Sequence, residues 1–311
     1  MMPQEAVSPQ DAASQDAGPQ DAKVPGRIHR LRHKLDWPVI IGIGGLHVAA
    51  IAAPWFFSWS ALTVALVLYW ISGGLGVTLG FHRLLTHRSF KTPKWLEYTL
   101  TAFGCLAWQG GPATWVGTHR IHHKHSDSDL DPHTPNHGFT WSHIFWCMHK
   151  EPEGQNAAAA AKDLLRDPFI RRLNRHFWVP QAILAVVLLA GGELARYFGL
   201  NASGLSWVIW GVALRTVLVY HATWFVNSAS HTWGYQTFET GDRSTNLWWV
   251  ALLGFGEGWH NNHHAHQRAA AHGQKWYEID ITYLTIRAMS LMGLAWDVVQ
   301  PGKPRERSAA E

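Results

Sequence analysis

The chain has 311 residues, and 15% of them are charged, well below the roughly 25% usual for soluble domains. Its net charge of +4 sits beside apolar segments, which argues against nucleic-acid binding, and two cysteines, Cys105 and Cys147, exclude a disulfide framework. Mean hydropathy is only −0.11, but 21 histidines and a polar tail depress it, while 19 tryptophans favour a membrane–water interface.

Residues 1–26 are polar and repetitive, with Gln10-Asp11-Ala12, Gln15-Asp16-Ala17 and Gln20-Asp21-Ala22. That composition predicts a disordered tail, closed by a basic run at Arg27, Arg30, Arg32 and Lys34. The boundaries expected are a tail over 1–36, one large domain over 37–300 and a polar C-terminal tail over 301–311.

From Pro38 to Phe81 there is no charged residue. One membrane span needs about 20 residues, so two are expected, near 38–57 and 60–81, with a turn at Ser58. The basic run places the N-terminus in the cytoplasm. Tyr98–Thr118 is also uncharged, but Gly110-Gly111-Pro112 interrupts it. It is expected to form a buried or interfacial hairpin. Residues 177–197 and 205–226 supply two further spans, with Arg171, Arg172 and Arg175 marking the inside. The fold expected is an all-α membrane protein: four transmembrane helices under a cytoplasmic helical cap.

Nine histidines and one asparagine fall in four clusters beyond the span ends. They read His82-Arg-Leu-Leu-Thr-His87, His119-Arg-Ile-His122-His123, Asn227-Ser-Ala-Ser-His231 and His260-Asn-Asn-His263-His264. Helical positions i, i+3 and i+4 share a face, so each HxxHH trio can converge on one point or bridge two neighbouring metals. Asn227 and His231 have i, i+4 spacing. His82 and His87 are five apart and suit a helix end followed by a turn. His125 and His266 lie off their trios' faces. Neutral imidazole binds iron, copper, zinc and nickel, and structural zinc needs only four ligands. This many donors suits two ions. With four spans, all four clusters reach one side of the membrane. His33, His47, His137, His143, His149, His176, His221 and His272 are taken as structural or surface residues. Asp127, Asp129 and Asp131 are expected to hydrogen-bond ligand histidines from behind.

The ordered motifs HxxxxH, HxxHH, NxxxH and HxxHH resemble the membrane fatty acyl desaturase family over roughly residues 37–300. Gly80-Phe81-His82-Arg83, Thr86-His87-Arg88-Ser89-Phe90, Asp131-Pro132-His133 and Gly256-Glu257-Gly258-Trp259-His260 strengthen the likeness. The resemblance implies a non-haem enzyme holding two ferrous ions. Its iron ligands would be His82, His87, His119, His122, His123, His231, His260, His263 and His264, with Asn227 holding an iron-bound water. It further implies desaturation of a long-chain acyl group by dioxygen and two electrons. The branch most resembled inserts a first cis double bond near carbon nine. No electron-carrier domain is visible in the sequence, so a separate donor protein is expected.

An acyl chain needs an apolar tunnel. Trp70 lies about 18 Å before His82 on one helix, at 1.5 Å per residue, and would close it; Val77 and Thr78 would line it. Animal acyl-CoA members carry Arg-Asp before HxxHH, where this chain has Gly117 and Thr118. The carrier is therefore open between CoA and a membrane lipid, with Arg83, Arg88, Arg120 and Lys124 as candidate phosphate contacts. Two other functions compete: a hydroxylase or other oxygenase on the same metals, and a non-catalytic metal transporter.

Overall fold

A computed structural model describes residues 34–152 and 155–302. The repeats of 1–26, Arg27, Arg30, Arg32, His33 and residues 303–311 lie outside the described residues. Among the described residues the structure is helical, with isolated β-bridges only.

Helix α1 (Trp37–Ile51) starts where the Asp36 carboxylate accepts the Val39 N–H, with Pro38 in the first turn. Its 15 residues make about 22 Å, short of a full crossing, and a tight turn at Ala53–Phe56 extends it. Ser58 does not merely mark a bend: its hydroxyl accepts the Ala61 N–H and starts α2 (Trp59–Thr86). That helix, α6 (Val179–Tyr197) and α7 (Gly204–His231) are each long and apolar enough to cross a membrane.

Helix α2 changes character at Trp70, where its hydrogen bonds widen from i−4 to i−5. The segment carries Gly73, Gly74, Gly76 and Gly80. A Cβ on Gly76 would stand 2.4 Å from the Gly104 nitrogen, so only glycine lets α2 meet α3 (Lys94–Cys105) backbone to backbone. The widening has a consequence for the site. In an α-helix, residues five apart point in different directions; in this wider spiral they face alike. The helix ends at Thr86 with His87 as its C-cap, the helix end expected from the sequence, and the widened last turn brings His87 to His82.

Helices α3 and α4 (Pro112–His125) are joined by a turn at residues 106–111, and this pair occupies the uncharged 98–118 stretch. It brings His119, His122 and His123 back to His82 and His87. Helix α5 (Pro168–Arg175), capped by Asp167, leads into α6. At about 42 Å, α7 is longer than a hydrocarbon core of about 30 Å, and Asn227 and His231 lie in its last turns. Short helices α8 (Trp248–Leu253) and α9 (His260–Ala265) and the longer α10 (Ile281–Leu291) follow α7. Phe81, Leu84, Phe90, Leu100, Val116, Ile170 and Ile286 pack as the core beside the site.

Candidate metal centre

The nine clustered histidines gather into two groups in the structure. His82, His87, His119, His123 and His263 form one, and His122, His231, His260 and His264 the other. Within each group the ligand nitrogens lie within 4.8 Å of one another. Each HxxHH trio is divided between the groups, because neighbours on a helix face diverge by about 100°. His125 and His266 belong to neither.

In the five-histidine group the Nε2 atoms form a closed loop. His82 meets His87 at 3.0 Å, His87 meets His119 at 3.2 Å, and His119 meets His123 at 2.9 Å. His123 then meets His263 at 2.9 Å and His263 returns to His82 at 3.2 Å. A loop of five cannot alternate donors and acceptors, so at least one contact sets like against like. In the four-histidine group the conflict is plainer. His122 and His264 turn Nδ1 to carboxylates, Asp131 at 2.9 Å and Asp242 at 2.6 Å. In the neutral rings those nitrogens carry the protons, which leaves two Nε2 lone pairs facing each other at 3.3 Å. A cation between the nitrogens resolves both conflicts, and an all-imidazole donor set suits a transition metal.

Local electrostatics keep most of these imidazoles in the neutral, ligating form. Burial, reinforced by the neighbouring rings, holds His87, His119, His123, His260 and His263 well below the usual histidine range. Burial pushes His264 down to about 4, against the opposing pull of Asp242. Burial would raise the Asp131 carboxyl, but His122 and His133 outweigh it and hold it well below the carboxylate range. His231 lies 3.0 Å from Asp127, out of hydrogen-bond alignment, and His82 lies 2.5 Å from Glu257.

Two cavities reach the centre. The larger, about 500 Å³, runs past Ile43, Trp108, Trp146, Trp178, Tyr220 and Trp224. The narrower, about 50 Å³, runs past Val77, Thr78, Val219, Phe255 and His260 to Tyr69. Trp115, His119, Thr223 and Asn227 line both, so the two meet at the histidines.

The fatty acid desaturase family profile matches residues 44–296, most of the chain. The chain belongs to the fatty acid desaturase family. This desaturase is 53% identical over 267 residues to an sn-1 stearoyl-lipid 9-desaturase of Anabaena variabilis, covering 85% of this chain and 94% of that one. It is 47% identical over 270 residues to an sn-2 palmitoyl-lipid 9-desaturase of Nostoc, covering 86% and 91%. Identity is also 47% over 270 residues to an acyl-CoA 5-desaturase of Anemone leveillei, covering 86% and 81%. The protein is an oxidoreductase acting on a fatty acyl group, at a histidine-rich metal site.

The desaturase's other sequence-marked residues fall as follows. Val77 and Thr78 line the narrow cavity, but Trp70 does not: it is 43% exposed on the outer face of α2, and its neighbour Tyr69 lines the slot instead. Arg83 is not a carrier contact. It is fully buried, donating to Glu257 at 3.1 Å, to Asp280 at 3.0 Å and to the Ala270 carbonyl. Arg88 and Arg120 both pair with Asp163. Asp129 stands 3.5 Å from His137, away from the ligand histidines. His272, expected to be merely structural, is buried within a group with His82 and Glu257, and its ring lies 4.3 Å from that of His263, tilted by 32°. Sequence reasoning misses Asp242 and Glu257 as histidine partners. Glu257 lies within the Gly256–His260 motif, whereas nothing in the sequence around Asp242 marks it.

Proposed function

We propose that this protein is a four-span membrane desaturase that uses two iron ions, dioxygen and two electrons to place a cis double bond near carbon nine of a saturated acyl group. The nine clustered histidines would hold the irons, and Asn227 a bound water. A separate donor protein would supply the electrons, and the centre would face the cytoplasm. One observation carries the reading: the paired histidine groups stand where two cavities meet, so a chain threaded through both would present a mid-chain methylene pair to the metals. The relatives named as 9-desaturases support the position of the bond.

When bound, the two irons supply the oxidising power that removes two hydrogens from unactivated methylenes. The rest falls to the chain's own residues. Trp115 and Thr223 flank the acyl chain at the junction, Val77 and Val219 exclude water from the narrow arm, and Tyr69 stops the methyl end. Carboxylates behind His82, His122 and His264 fix the ring orientation.

The favoured carrier is a membrane lipid. Where animal acyl-CoA members have Arg-Asp, Gly117 lies under Ala157, and a Cβ there would stand 1.6 Å from the Ala157 carbonyl oxygen. An arginine at that place has no room. Of the basic residues beside the motifs, Arg83 is committed to Glu257 and Asp280, and Arg88 and Arg120 to Asp163, while Lys124 is exposed. Three relatives above 45% identity are named for lipid substrates and one, at 47%, for acyl-CoA.

Gas chromatography of lipids from cells expressing the protein tests the reading. New monoenes esterified to glycerolipid are expected. Hydroxy acids without monoenes would replace it by an oxygenase, and metal uptake into vesicles without any oxidation would replace it by a transporter.

A further inference from the structure

The two histidine groups differ in what stands behind them. Three carboxylates back the four-histidine group: Asp131 at 2.9 Å from His122, Asp242 at 2.6 Å from His264 and Asp127 at 3.0 Å from His231. Among the described residues no lysine or arginine side chain pairs with any of the three. Arg243 meets Asp127 only through its backbone N–H, and its guanidinium faces Asn136. Asp131 and Asp242 take their other bonds from neutral groups, the N–H of Asp127 and His133 in one case and Thr240 and Ser244 in the other.

A single carboxylate, Glu257, touches the five-histidine group, at His82. Its charge is already engaged. Arg83 donates to it from Nε at 3.3 Å and from Nη2 at 3.1 Å, and Asp280 shares the same guanidinium. The two groups thus sit in different fields: three carboxylates without a paired cation stand behind one, and two carboxylates sharing one arginine stand behind the other.

A carboxylate on the outer nitrogen makes an imidazole a stronger donor. Buried charge is poorly screened, so its effect on an ion nearby is larger than in water. Stronger donors and surrounding negative charge favour the higher oxidation state. The four-histidine group also has one imidazole fewer, and its His260 lines the narrow cavity together with Asn227.

We propose that the two irons are unequal: the ion at His122, His231, His260 and His264 has the lower reduction potential and is oxidised first, tuned by Asp127, Asp131 and Asp242. This rests on the di-iron reading given above. The three aspartates act through the histidines and are positioning residues, not catalytic ones.

The test uses the full chain in detergent, loaded with isotopically enriched iron and titrated electrochemically, with Mössbauer and electron paramagnetic resonance readouts. The wild type is expected to pass through a half-oxidised state holding one ferric and one ferrous ion in trapped valences. Asp131→Asn and Asp242→Asn keep the shape and remove the charge. Each is expected to raise the first oxidation potential; a tenfold greater loss of ferric than of ferrous binding reads as about 59 mV. Glu257→Gln is expected to leave that first potential in place. A delocalised half-oxidised state overturns the proposal, and so does a first potential that moves as far with Glu257→Gln as with Asp131→Asn. Aspartate variants that lose iron from both sites alike, with the remaining potential unchanged, also overturn it, because a purely structural role would do that. The wild-type valence pattern decides between equal and unequal irons even if a variant fails to fold. A wild-type chain that takes up no iron removes the di-iron reading itself, and this inference with it.

Discussion

His122 and His264 come from helices 142 residues apart and present their Nε2 atoms to each other at 3.3 Å. Each is turned that way by a carboxylate on its other nitrogen. With both rings neutral and no cation between them, two lone pairs face each other in a buried site; a proton on His122, which Asp131 favours, is the alternative to a metal. Metal removal is therefore expected to destabilise the folded protein. Binding adds about 4 kcal/mol when free metal exceeds its dissociation constant by about a thousandfold, and chelation removes that term. Thermal unfolding in detergent, with and without chelator, reads it. Metal analysis should find about two ions per chain in the wild type. His264→Ala and His119→Ala should each retain about one, from opposite groups. Loss of both ions in each variant would mean that the groups do not load separately.

Acid should weaken the metal-free protein, and the sign follows from burial. His87, His119, His123, His260, His263 and His264 all have lowered proton affinity in the folded chain. Asp131 gives His122 the opposite tendency. As pH falls through the ordinary histidine range, near 6.5, the unfolded chain takes up protons that the folded chain refuses. Stability is then lost with falling pH, most steeply between about 6.5 and the folded value of about 4 at His264. Unfolding temperatures of metal-free protein across that window test this, and a flat profile would count against neutral, buried imidazoles.

The histidine groups were legible in the sequence because i, i+3, i+4 spacing survives wherever a helix is regular. The tunnel end was not. Counting back from His82 to Trp70 assumes the 1.5 Å rise of a regular α-helix, but the helix between them is bonded from i to i−5. Tyr69, one residue away, lines the slot in place of Trp70. Glu257 and Asp280 reach Arg83 from 174 and 197 positions along the chain, and no local pattern announces such a partnership. A basic residue beside a histidine motif reads as a surface charge until its burial is known. Asp242 sits in an irregular loop, where no periodicity points it at His264.

Chain length should be set at Tyr69. Its hydroxyl donates to the Leu253 carbonyl at 2.7 Å, and its ring lies 5.3 Å from Phe255, so the end of the slot is held in place. Tyr69→Ala should move products toward longer chains. One methylene in a tight apolar pocket is worth about 1–3 kcal/mol, so the ratio of longer to shorter products should change about tenfold or more. Trp70→Ala should leave the ratio unchanged. Equal effects of the two substitutions would return the tunnel end to Trp70.

Arg83 should prove to be a structural charge. Arg83→Met leaves Glu257 and Asp280 buried without their cation, a change that costs about 3–5 kcal/mol in such settings. A sharply lower unfolding temperature is expected, together with weaker metal retention through His82, which Glu257 orients. A variant of normal stability that discriminates differently between acyl-CoA and acyl-lipid would instead make Arg83 a carrier contact.

The carrier question turns on Gly117. Its missing side chain is the space in which the Ala157 carbonyl lies, and α4 packs there against the turn at Ala157–Ala160. Gly117→Ala alone should destabilise the fold by about 1–3 kcal/mol, as overpacking of a close contact does. Gly117→Arg combined with Thr118→Asp restores the residues of animal acyl-CoA members but has to displace that turn. It should therefore lower the unfolding temperature without producing desaturation of acyl-CoA by purified, iron-loaded enzyme. If the double variant is stable and gains acyl-CoA activity, the close contact at Gly117 does not select the carrier.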